Sequence, residues 1–141
     1  MSNSTRNTSL LAGDITDAIL GAFFRVYDYF GFGFLESVYC EGLMDELDAA
    51  GLRFVREAPV AVFYKGRRVG HYRADFVVEN RVVVEVKASE ALAYAHKKQL
   101  LNCLRCSRLE VGLLLHFGPK PRFERVIHTK RNAMGGSNGP R

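Results

Sequence analysis

Residues 70–89 read GHYRADFVVENRVVVEVKAS. Two runs rich in valine and aromatic residues flank the polar segment Glu79-Asn80-Arg81, a pattern that predicts a β-hairpin. The positions of Asp75 and Glu85 sum to 160, so a hairpin centred on Asn80 sets the two carboxylates opposite one another. Cross-strand partners have Cβ atoms roughly 4.5–5.5 Å apart, and like charges held that close repel unless a cation, a shared proton or water offsets them. Side chains alternate along a strand, so Lys87 shares the face of Glu85 while Val82, Val84 and Val86 point the other way. Two acids and one ammonium group are thus expected together. Hard oxygen ligands on adjacent strands suit Mg²⁺ or Mn²⁺, and a lysine beside them suits the charge that develops as a phosphodiester is hydrolysed. The same alternation also fits a solvated sheet face on which Arg73 pairs with Asp75.

Working outward, Phe54 to Phe63 is a β-rich stretch, Lys65-Gly66-Arg67 reads as a hairpin turn, and Val69 to Val78 joins Val82 to Lys87 to complete a three-stranded meander. Upstream, apolar residues at Ile15, Ile19, Phe23, Val26 and Phe30 recur at helical spacing from Asp14 onward. Gly31-Phe32-Gly33 breaks that period before a second helix, Leu35 to Ala50, which should pair antiparallel with the first. Downstream, Ala91 to Arg105 has helical composition, Leu109 to Phe117 is a buried apolar strand, and Phe123 to His128 supplies an edge strand. The expected order is ααβββαββ, an α/β domain over residues 13–129 with a mixed central sheet flanked by helices. Residues 1–12 and the Gly/Ser/Asn-rich end, 130–141, have the composition of flexible segments.

A chain of 141 residues with 48% hydrophobic content can bury a substantial core. Its net charge of +5 and pI near 9.3 favour a polyanionic partner. Lys65, Arg67, Arg68 and Arg73, interleaved with Tyr64 and Tyr72, are candidates to follow a phosphate backbone and stack on unpaired bases. The opening MSNSTRNTSL lacks a signal-peptide core, and the longest apolar run, Val111 to Phe117, is too short to span a bilayer, so a cytoplasmic protein is expected. Cys40, Cys103 and Cys106 make an odd set, and the single CxxC has no second pair, which argues for reduced, packed thiols over a zinc site.

Ala74-Asp75-Phe76 followed by Glu85-Val86-Lys87 resembles the D…ExK core of the PD-(D/E)XK nuclease superfamily, and Gly33-Phe34-Leu35-Glu36-Ser37-Val38-Tyr39 resembles the signature of its GxxExxY family. The similarity extends to Tyr64-Lys65-Gly66, to His96 with Gln99-Leu100-Leu101, and to Gly112 through Gly118. It implies a restriction-endonuclease-like fold and a metal-dependent nuclease acting on DNA or RNA. Asp75, Glu85 and the Val86 carbonyl would hold Mg²⁺ (or Mn²⁺), Lys87 would be the catalytic lysine, Glu36 would meet metal-bound water, and Gln99 would orient water or phosphate. Tyr39, three positions past Glu36, reads as a packing residue. The rival reading is a non-catalytic nucleic-acid-binding or protein-interaction module that has kept the architecture. No appended recognition domain is visible in the sequence, so a homodimer or a larger protein assembly is expected to help hold a substrate.

Overall fold

The computed structural model describes residues 12–130. The segments expected to be flexible fall on residues that lie outside that range, apart from its two ends. Ala12 is buried where the first helix starts, and Lys130 donates from Nζ to the Leu104 carbonyl.

Helices α1 (Gly13–Phe30) and α2 (Glu36–Ala49) come first, followed by β1 (Phe54–Tyr64), β2 (Arg67–Val78), β3 (Val82–Ala88), α3 (Tyr94–Cys106), β4 (Val111–Phe117) and β5 (Pro121–Ile127). The expected order ααβββαββ is the observed one. The five strands form a single sheet in the order β1-β2-β3-β4-β5, with β3 and β4 parallel and every other neighbouring pair antiparallel. A parallel pair needs a long crossover, and α3 provides it. The result is a mixed α/β sheet with helices on both faces, consistent with a restriction-endonuclease-like fold.

Helices α1 and α2 run antiparallel: Arg25 on α1 pairs with Glu46 on α2 at 2.6 Å, while Val26 and Phe30 lie against Gly42. Their apolar stripe packs on Phe76, Val78, Val82, Val84, Val86, Leu113 and Leu115. The opposite face of the sheet buries Ala58, Ala74, Val83 and Leu114 beneath Leu100 and Leu104 of α3. Strands covered on both faces read as continuous apolar runs, which explains Val82-Val83-Val84 and Leu113-Leu114-Leu115. Slipping β3 by one residue would drive Glu85 and Lys87 into the apolar layer under α1 and α2, so this register is strongly specified.

Two departures from the expected pattern bear on the site. Helix α3 begins at Tyr94, three residues later than its composition suggested, because the preceding segment is engaged elsewhere: Ser89 Oγ donates to the Ala91 carbonyl at 2.7 Å, and the Ser89 carbonyl lies 3.0 Å from His116 Nε2. The β1–β2 ribbon also turns over along its length. Phe54, Arg56 and Phe76 lie on the α1/α2 side, whereas Ala58, Val60, Tyr72 and Ala74 lie on the α3 side, although all are even-numbered. Strict alternation would keep them on one face. The change falls at the level of Glu57 and Asp75, and Glu57 adopts φ 51 to make it.

Candidate active site

The β2–β3 hairpin closes through Glu79 and Asn80, both at positive φ, with the Arg81 amide donating to the Val78 carbonyl at 3.0 Å. Its ladder runs Val78↔Val82, Val77↔Val83 and Phe76↔Val84, the register centred on Asn80. The next pair in that register is Asp75 and Glu85, but the ladder stops short of it. There the Val86 amide donates to Asp75 Oδ2 at 2.7 Å, and the Asp75 amide faces the Glu85 carboxyl. A carboxyl-to-amide bond therefore stands in for the backbone rung where the ribbon turns over and β2 leaves β3. Within a strand, the amide and carbonyl of one residue point the same way, so the Val86 carbonyl also faces the Asp75 side.

Glu85 is only 6% exposed, in phase with Val83 on the α3 face. Burial pushes its carboxyl up to about 7; the nearby Asp75 adds to the rise, and the Tyr72 hydroxyl, Lys87 and the Asp75 amide oppose it. The Tyr72 hydroxyl itself titrates well above its ordinary range through burial and the Glu85 carboxyl. Glu85 Oε2 is buried with no hydrogen-bond partner. A buried, unpaired carboxylate oxygen beside a second acid is costly on its own, and a hard cation is the ligand that satisfies both. Among the described residues, no group of three or more His, Cys, Asp or Glu side chains forms a ready-made cation cage. The donors that fit are these two carboxylates, the Val86 carbonyl and water.

Glu36 opens α2 and reaches the end of β3, where its Oε2 accepts from the Ala88 amide at 3.3 Å. Lys87 is half-buried and lies beside His116 of β4 in the parallel register. His116 is 2% exposed, and because a carbonyl only accepts, its Nε2 carries the proton shared with Ser89. Its ring leaves no room at Gly118, where an added Cβ would stand 2.5 Å from Cε1. The Gly118 carbonyl in turn accepts from the Tyr27 hydroxyl at 2.7 Å. Helix α3 brings a second histidine to the same end of the sheet. Leu100 sits on Gly112, and His96, one turn earlier on the same stripe, lies about 6 Å further toward the C-terminal ends of β3 and β4. Burial and the nearby Lys87 hold the His96 imidazole below its ordinary value, with Glu36 opposing.

The structure thus brings Asp75, Glu85, Val86, Lys87 and Glu36 to one end of β3. Gln99 is exposed on α3 between His96 and Cys103, and makes no hydrogen bond to Asp75, Glu85 or Lys87. Arg67 and Arg68 lie at the exposed tip of the β1–β2 hairpin, seven or eight residues along β2 from Asp75, or roughly 25 Å. Arg73 pairs with Glu57 at 2.9 Å, so the Arg73–Asp75 pair is not formed. Tyr72, which the sequence had suggested for stacking, is instead half-buried near the Glu85 carboxyl, and only Tyr64 stays exposed on that ribbon. Tyr39 is fully buried and stacks on Phe117 with centroids 4.0 Å apart. Tyr72, His96 and His116 are the site residues that sequence reasoning passed over or left aside. The three cysteines are free, and burial lifts the Cys40 and Cys103 thiols to about 12.

A mixed sheet that splits at a hairpin, with acids at the split and a lysine two residues on, is the core of a nuclease-type domain. Residues 13–126 match the PD-(D/E)XK nuclease superfamily, and the chain belongs to it. Nucleases of this superfamily generally use divalent metals. Among solved structures, the chain is similar to the crystal structure of SSO0001, with 19% identity and a TM-score of 0.50. The match covers 72% of this chain and 56% of that one, so this chain spans little more than half the length of that relative. The likeness is one of fold. No curated protein matches the chain. No helix among the described residues is long and apolar enough to cross a membrane.

Proposed function

We propose that this domain is a metal-dependent nuclease that hydrolyses phosphodiester bonds in DNA or RNA, and that within its superfamily it falls in the GxxExxY group through Gly33, Glu36 and Tyr39. The observation that carries the reading is Glu85: a buried carboxyl beside a second acid, with one oxygen unsatisfied and a lysine two residues away on the same face. Structural ion pairs do not leave an acid in that condition.

In this reading Asp75, Glu85 and the Val86 carbonyl hold Mg²⁺ or Mn²⁺. When bound, the cation lowers the pKa of a water and offsets charge on the phosphate. The protein's own groups supply the rest. The Val86 amide fixes Asp75, and burial beneath α3 confines the Glu85 carboxyl beside it, so both acids are aimed before any substrate arrives. Lys87 places an ammonium group where negative charge grows on the phosphate as water attacks phosphorus and the bond to the leaving oxygen breaks. Glu36, through the Ala88 amide, holds the end of β3 and with it the Lys87 backbone. Arg67, Arg68 and Arg73 act at longer range, attracting the polyanion.

The test is cleavage of single- and double-stranded DNA and RNA with Mg²⁺ or Mn²⁺, by the wild type and by Asp75→Ala and Lys87→Ala. Cleavage that disappears in both folded variants supports the enzyme. Salt-sensitive binding with no cleavage by the wild type identifies a binding module and sinks the proposal.

A further inference from the structure

The loop between α1 and α2 carries a run of exposed apolar side chains beside the proposed site: Phe32 is 41% exposed, Phe34 47% and Leu35 74%. Single exposed apolar residues are ordinary, but three within four positions are not. The loop is also pinned in this state. The buried Tyr39 hydroxyl donates to the Gly31 carbonyl at 2.6 Å and accepts from the Phe34 amide at 3.2 Å, while Gly31 and Gly33 take the positive φ angles, 67° and 118°, that the bend requires. Phe30 fills the space against Tyr39 beneath the loop. The outer rings are therefore held out of the core rather than free to fold back into it.

The anchor at the other end of this run is Glu36, whose contact with Ala88 places the loop next to Lys87. Phe34 precedes Glu36 by two residues, so their Cα atoms are at most about 7 Å apart. On the α3 side of the same sheet end, Tyr94 is 75% exposed, two residues before His96. A polyanion entering between these elements meets ammonium charge at Lys87 and flat apolar rings around it.

We infer that Phe32, Phe34 and Tyr94 form a stacking platform for unpaired bases, making the preferred substrate a single strand or a single-stranded segment. The inference rests on the nuclease reading for its choice of ligand. In a duplex the base faces are stacked inside and closed to these rings, whereas an unpaired base offers a face to each of them. Stacking of this kind tolerates any base.

The experiment measures binding, in EDTA and at fixed salt, of a fluorescein-labelled oligothymidylate and of the same strand annealed to its complement. The single strand should bind at least about tenfold more tightly, and Phe32→Ala and Phe34→Ala should each weaken it about fivefold or more. Phe32 makes no ring contact in the fold, so its loss should not unfold the protein, and Phe34→Trp should restore binding where Phe34→Ala loses it. Equal affinity for duplex and single strand, no oligonucleotide binding, or Ala variants that bind like the wild type would each overturn the inference. So would Ala variants that leave binding intact but turn a dimer into a monomer by light scattering, which would assign the loop to a second copy of the chain. Cleavage with Mg²⁺ is read separately. Ring-dependent binding without cleavage supports the platform and removes the nuclease, whereas cleavage of duplex unaffected by loss of the rings removes the platform and leaves the nuclease.

Discussion

Strand β2 takes part in two hairpins, and they are built for opposite ends. The β1–β2 hairpin turns at Lys65-Gly66, both at positive φ, and its outer half is solvated, with Arg67, Arg68, Val69, Gly70 and His71 exposed. The β2–β3 hairpin also turns through two positive-φ residues, yet its strands are buried on both faces from Phe76 to Val84. Both carry charge. In the first the charges are hydrated, and ion pairs such as Arg73–Glu57 contribute at most about 1 kcal/mol. In the second the charges sit where water is scarce, so Glu85 is driven toward its neutral form. The same residue types are solubilising at one end of β2 and chemically poised at the other, and burial makes the difference.

Removing the ammonium group at the buried end should break that contrast most severely. Lys87→Ala is expected to lower the cleavage rate by roughly 10³-fold while far-ultraviolet circular dichroism is retained. A rate within threefold of wild type would remove Lys87 from the chemistry.

The next effect concerns Glu85 in the metal-free protein. Its folded-state pKa lies above the unfolded value of 4.5, so its contribution is fully present below pH 4.5 and is lost as pH rises through about 7, in total on the order of 3 kcal/mol. Denaturation in EDTA between pH 4 and pH 8, compared with Glu85→Gln, should show that slope in the wild type and its flattening in the variant. Parallel slopes would mean that Glu85 is not held neutral by its surroundings. The Arg53–Glu79 pair at the exposed hairpin turn acts in the opposite direction, since Arg53 lowers the Glu79 carboxyl and that stabilisation is lost as pH falls.

Tyr39→Phe keeps the ring stacked on Phe117 but deletes the hydroxyl that holds Gly31 and Phe34. It should cost about 1–3 kcal/mol in urea denaturation and speed amide exchange at Phe34. A loss of thermal stability without faster exchange would mean that the loop is held by packing instead. The smallest change is expected at the solvated tip. Arg67→Ala and Arg68→Ala should alter stability by no more than about 0.5 kcal/mol, and each should reduce the slope of log K against log salt for oligonucleotide binding by about 1. An unchanged slope would take both arginines off the nucleic-acid path.

Local pattern made much of this legible. Valine-rich runs on either side of Glu79-Asn80-Arg81 pointed to a hairpin centred on Asn80, and the β2–β3 register has that centre. The helical stripe from Ile15 to Phe30 marked α1 for the same kind of reason. Pattern misled at the start of α3, where Ala91-Leu92-Ala93 is helical by composition but Ser89 is committed to His116 and to Ala91. It also placed Tyr72 among the solvated tyrosines, since nothing nearby in the chain shows that the ribbon turns over at Asp75 and swings Tyr72 onto Glu85.

Strand register, the two acids with their lysine, and the glycines of the α1–α2 loop are properties of short segments, where side-chain alternation and backbone sterics act over a few residues; these could be read before any fold was known. The condition of those groups could not. Whether Glu85 is hydrated or desolvated, whether His116 meets Lys87, and whether Gln99 reaches the acids depend on α3 crossing from β3 to β4 and on α2 arriving at Ala88, contacts between residues tens of positions apart. Solvent exclusion is a collective result of that packing, and it turns an ordinary run of valines, acids and a lysine into a candidate site.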